Sequence, residues 1–105
     1  MNGSIRIMKV EKRVGAGDFV YWIMFIPERS SGGAIPRYVC HSEEHLKDVL
    51  SDLEISPTIV DKTIQELNES KHSLIPHVSL TENQINRYGL RLSVFESIQS
   101  YISAL

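Results

Sequence analysis

One cysteine, Cys40, stands in 105 residues, so no disulfide can close within the chain. Four prolines and six glycines are too few for a collagen-like or low-complexity polypeptide. Long apolar runs are missing as well. The longest covers eight residues, 19–26, and stops at Pro27, far short of a bilayer span. The stretch Met1–Val10 lacks the extended apolar core of a signal peptide, and with the lone cysteine this makes the cytoplasm the expected compartment. Neither is the composition that of a disordered chain: 42% of residues are hydrophobic and 23% charged. A single domain over residues 1–105 is expected, a size that buries roughly two-thirds of the surface its unfolded chain exposes.

What is present centres on Phe19–Pro27, which holds the only tryptophan. Its odd positions (Phe19, Tyr21, Ile23, Phe25) and even positions (Val20, Trp22, Met24, Ile26) are both apolar. The alternation of a half-exposed strand is therefore absent, and the segment reads as a strand that wants cover on both faces. Before it, residues 5–14 read as a strand with Met8, Val10 and Val14 on one side, joined by a glycine-bearing turn at 15–18. After it, residues 28–34 read as a polar connection and 35–41 as a short edge strand carrying Pro36.

The second half has helical punctuation. Ser42 followed by Glu43 and Glu44 predicts a helix to about Leu53, with Leu46, Val49, Leu50 and Leu53 inward. Ser56 and Pro57 open another, with Ile59, Val60, Ile64 and Leu67 in one stripe. Residues 68–80 read as a connector with one short strand near 74–80. Thr81 with Gln84 forms a capping box, and Gly89 fits the end of that helix. Ser93 with Glu96 repeats the box, and a last helix over 94–104 presents Val94, Phe95, Ile98, Tyr101, Ile102 and Leu105. That broad apolar face must dock over the sheet or against a neighbouring subunit.

Charge is unevenly spread. Residues 1–42 carry six bases and three acids, whereas residues 43–69 carry two bases (Lys47, Lys62) and eight acids. The formal net charge of -2 conceals this separation, which governs the partners that can approach each side.

The run 46–67, a helix, a short turn and then Ser56, Pro57 and Thr58 opening a second helix, resembles the helix-turn-helix of bacterial transcription regulators. The resemblance implies that Thr58, Asp61, Lys62 and Gln65 face the major groove. Glu54 stands where such turns usually have glycine, and the acidity of the segment opposes a phosphate backbone. A second run, 80–95, with Gly89 in its turn, is similar to the same motif. His41 to His45 has the H-x-x-E-H spacing that resembles inverted zinc metallopeptidases, which implies His41 and His45 as ligands and Glu44 as base. Ser42 as N-cap instead puts His41 on the strand side of the junction. Cys40, His41 and His45 together are the only residues with a metal-site grouping, and Tyr21, Trp22 and Tyr38 the only candidates for a base-stacking platform.

The resulting expectation is an α+β domain, a three-stranded antiparallel meander in 1–41 followed by about four short helices in a mainly helical 42–105. Its expected role is that of a small non-enzymatic binding or adaptor module acting through protein–protein contacts, with a protein partner or a second copy in a homodimer. No catalytic, cofactor or metal residue is assigned. The alternative is a helix-turn-helix DNA-binding regulator, with Thr58, Lys62 and Gln65 on the nucleic acid.

Overall fold

The computed structural model describes residues 1–28 and 37–90. Strand β1 is Asn2–Glu11 and β2 is Phe19–Pro27, paired antiparallel with Ile5 opposite Phe25, Ile7 opposite Ile23 and Met8 opposite Trp22. The hairpin between them takes Gly15 at φ 77° and Gly17 at φ 75°, conformations that the absence of a Cβ makes cheap. β3 is Tyr38–Cys40, antiparallel to β2 with Trp22 opposite Val39. Helix α1 (Glu43–Asp52) and α2 (Pro57–Ser70) follow, then strand β4 (His72–Ser79), which pairs antiparallel with β1, and helix α3 (Glu82–Tyr88).

The sheet order is therefore β3-β2-β1-β4. It corrects the expected three-stranded meander, because the short strand expected near 74–80 is longer, His72–Ser79, and joins the sheet as its fourth strand beside β1. The reason is local. Ser73, Ile75 and Val78 are the inward residues of β4, and the register shifts opposite Gly3 to Ile5, where Pro76 and a left-handed His77 (φ 57°) interrupt the strand. That irregularity breaks the period-two signal after two repeats. Three helices are found among the described residues, not about four; the helix expected over 94–104 lies outside them. β1 also starts and ends earlier than its hydrophobic pattern suggested, leaving Val14 fully exposed in the hairpin.

Helix boundaries follow their caps. Ser42 accepts from the His45 N–H, Ser56 from the Ile59 N–H, and Thr81 with Gln84 makes the reciprocal box. At the end of α1 the Ile55 N–H donates to the Leu50 carbonyl across Glu54, which sits at φ 64°; Leu90 repeats this with Ile85 across Gly89, at φ 63°. Both are left-handed terminations that satisfy a last-turn carbonyl and send an apolar residue back to the core.

The core lies on one side of the sheet. Ile5, Ile7, Tyr21, Ile23, Phe25, Cys40 and Ile75 point toward Leu46, Leu50, Val60, Ile64 and Leu67 of α1 and α2, with Leu80, Ile85 and Leu90 closing one end. No helix among the described residues is long and apolar enough to cross a membrane.

Candidate interaction surface

Alternation along a strand decides what the other side of the sheet displays. The registers align Val39, Trp22, Met8 and His72 in one row, and Met24, Arg6 and Leu74 in the next. Val10 with Val20, and Ile26 with Ser4, extend the same face; Val20 on it is buried, but no member of the main core cluster shares the face. Met8, Val10, Trp22, Met24, Ile26 and Val39 are half-buried and Leu74 is 48% exposed. Two cations share this apolar floor, Arg6 within it between Met24 and Leu74, and Arg37 beside Trp22. The Arg37 guanidinium stacks 4.0 Å from the Trp22 ring centre, and Arg6 Nε donates to His72 Nε2 at 3.0 Å. Within the strands this face carries no carboxylate. Of its residues, the sequence marked Met8, Val10, Trp22, Met24 and Ile26 as apolar sides of their strands, but not Arg6 or Leu74. Alternation in β1 and β2 could have proposed the face, whereas the contribution of Leu74 needed the β4 register.

A second cluster joins α1, α3 and β3. Arg87 Nη1 donates to Asp52 Oδ2 at 2.6 Å, and the Tyr88 hydroxyl donates to the same oxygen at 2.5 Å. These two donors, Tyr88 first, hold the Asp52 carboxyl below its ordinary range, while burial pushes the Tyr88 phenol up to about 12. The Tyr88 ring meets Tyr38 edge-on at 4.8 Å. Tyr38 in turn lies 3.2 Å from His45 Nε2, and His45 Nδ1 accepts the His41 N–H at 3.4 Å. Both ring nitrogens of His45 are thus used in joining β3 to α1. The arrangement is a clamp between elements.

The remaining residues singled out by the sequence fall as follows. Thr58, Asp61, Lys62 and Gln65 all lie exposed on α2, with Gln65 Nε2 donating to Glu69 at 3.3 Å. Glu54, the residue in the glycine position of the turn, adopts the left-handed conformation that glycine would favour. Cys40 is wholly buried, its thiol pushed up to about 12, and so stays protonated. Among the described residues no group of three His, Cys, Asp or Glu side chains converges as a metal site. The structure disperses the base-stacking trio: Tyr21 and Tyr38 face the helices, and Trp22 alone faces outward.

At the end of the sheet, the β1–β4 irregularity opens a cleft of about 360 Å³ beside Asn2, Ser4, Glu28 and His77. Gly3 lies at its base, where a Cβ would overlap the Ile26 carbonyl oxygen. The cleft is a consequence of the strand irregularity, and its polar side chains come from loops and strand ends. Compared with known proteins, the chain matches no family model, no curated protein and no solved structure.

Proposed function

We propose that the chain is a non-catalytic binding module that acts through protein–protein contacts, with the second face of its sheet as the contact surface and a second copy of itself as the simplest partner. The observation that supports this reading is the contiguous apolar floor of Met8, Trp22, Met24, Ile26, Val39 and Leu74, outside the core formed with the three helices. Apolar surface of this continuity marks interaction sites on soluble domains. Arg6, within the floor between Met24 and Leu74, and Arg37, stacked on Trp22, supply the charges that orient a partner.

The test is the mass of the full chain by sedimentation equilibrium up to about 100 µM, a range that detects weak dimers. A dimer that Met24→Glu converts to monomer supports the reading; a monomer throughout the range overturns the homodimer.

A second reading, DNA binding through Thr58, Lys62 and Gln65, is favoured by the left-handed turn at Glu54 and the exposure of those side chains on one helix. Lack of any mobility shift with duplex DNA at low salt, where phosphate contacts are strongest, would dispose of it.

A further inference from the structure

The hydrogen bond between Arg6 and His72 fixes a protonation state. An arginine guanidinium stays charged and has no lone pair to offer, so Arg6 Nε is the donor at 3.0 Å and His72 Nε2 carries the lone pair. The imidazole in this bond is therefore neutral, with its proton on Nδ1. Most histidine contacts leave the tautomer open, as that of His45 with Tyr38 does.

Few charged groups surround His72. β1 contributes Arg6, with Met8 directly opposite His72. Arg37 lies farther along the same row, stacked on Trp22. From α2 and its end, Ser70 Oγ donates to the His72 carbonyl, Glu69 is held by Gln65, and Glu66 takes the Ser73 hydroxyl on the helix side. The Lys71 ammonium is 4.3 Å from the ring centre of Phe19, which alternation also puts on the helix side. The ion pairs among the described residues, Arg13 with Asp18 and Arg87 with Asp52, involve neither arginine of this face. A proton gained by His72 thus meets no carboxylate there. It ends the hydrogen bond by occupying the lone pair, and it sets a second cation against Arg6.

We propose that His72 makes association through the second sheet face dependent on pH: neutral, it permits contact between two copies; protonated, it drives them apart. This rests on the reading of that face as the homodimer surface and supplies its regulation. At neutral pH each copy brings Arg6 and Arg37 to the contact. In acid it brings three positive charges, against a facing surface with no carboxylate within its strands. Like charges repel more strongly in a contact that excludes water than on a free surface, so the dimer binds the proton less readily than the monomer does. Linkage then gives the sign: association is complete above the range in which imidazole titrates and is lost as pH falls through it, between about 8 and 5.

The experiment is sedimentation equilibrium of the full chain at about pH 7.5 and about pH 5.5, at a salt concentration of about 50 mM so that screening is weak. For wild type the dimer dissociation constant is expected to rise at least about 10-fold from neutral to acid pH. His72→Gln, whose amide oxygen still accepts from Arg6 but takes up no proton, is expected to dimerise alike at both values, which separates His72 from His41, His45 and His77. His72→Lys, charged throughout, is expected to dimerise at neutral pH as weakly as wild type does in acid. His72 is exposed, so both substitutions leave the core untouched. A wild type that is monomeric at both pH values overturns this inference together with the homodimer reading. A wild-type dimer equally tight at both, a pH dependence that persists in His72→Gln, or a His72→Lys protein as tightly dimeric at neutral pH as wild type overturns the inference alone and leaves the dimer standing.

Discussion

Gly3→Ala should be among the most damaging single-methyl additions in this chain. Gly3 pairs with Pro27 on one side and Val78 on the other, at the register shift that sets β4 against β1. An added Cβ would overlap the Ile26 carbonyl oxygen and lie 2.9 Å from both Phe25 Cζ and Pro27 Cα. Two of those neighbours are backbone, so no rotamer change relieves the overlap and the strands must separate. Overpacking of this kind costs about 1–3 kcal/mol. Separation also strains the hydrogen bonds that close this end, from Glu28 N–H to the Asn2 carbonyl and from Leu80 N–H to the Met1 carbonyl, each worth about 1 kcal/mol. A loss of about 2–4 kcal/mol lowers Tm by roughly 10–20 °C in a domain of this size. Gly15→Ala is the control, since nothing lies within 4 Å of its Cβ but its φ of 77° makes any side chain cost about 1–2 kcal/mol. Thermal unfolding followed by circular dichroism and by Trp22 emission checks both. A Gly3→Ala protein that melts within a couple of degrees of wild type, or above Gly15→Ala, refutes the steric reasoning.

Glu54→Gly should stabilise the chain by about 0.5–1 kcal/mol in denaturant titrations, because relief of the left-handed strain at φ 64° exceeds the added freedom of the unfolded chain. The Asp52 clamp should loosen at both pH extremes. The Asp52 carboxyl is lowered in the fold, so its contribution is present above the ordinary value of 3.8 and is lost as pH falls through the folded pKa. The Tyr88 phenol is raised, so its contribution is complete below 10 and is lost as pH climbs toward about 12. Amide exchange at Ile85 against pH reads both arms, and Tyr88→Phe should abolish the alkaline one. If association covers the second face, Tm should rise with protein concentration for wild type and stay flat for Met24→Glu, as scanning at two concentrations would show.

Punctuation was more legible than pairing. Ser42, Ser56 with Pro57, Thr81 with Gln84, and Gly89 each stand where a helix begins or ends, because a cap acts on backbone groups within four residues of itself. The β4 strand was harder to read: its partner lies some seventy residues away, and Pro76 with the left-handed His77 leaves only Ser73 and Ile75 in uninterrupted alternation. Glu54 misled in another way, since a non-glycine residue in a left-handed termination gives no compositional sign of the turn it makes. For the surface, β2 was visibly apolar on both sides, but nothing in its composition tells which side the helices take. That follows from whether Ile7 or one of its neighbours, Arg6 or Met8, lies beside Ile23, a matter of register and not of content.

The two sides of the sheet place different demands on the molecule. On the helix side Ile5, Ile7, Ile23 and Phe25 are at most 1% exposed, and among the described residues Thr63 and Ser73 are the buried hydroxyls, of which Ser73 donates to Glu66 at 2.7 Å. On the other side the floor around Trp22 is a surface whose full burial, at about 25 cal/mol per Å² over a few hundred Å², is worth several kcal/mol. A domain of this size has a net stability of only about 5–15 kcal/mol. Covering that floor is thus comparable in scale to folding itself. A partner that covers it is for that reason close to being a part of the folded unit. Docking of a second copy there would make association and stability one equilibrium, in which the arginines on that face set the orientation and the apolar floor supplies the affinity.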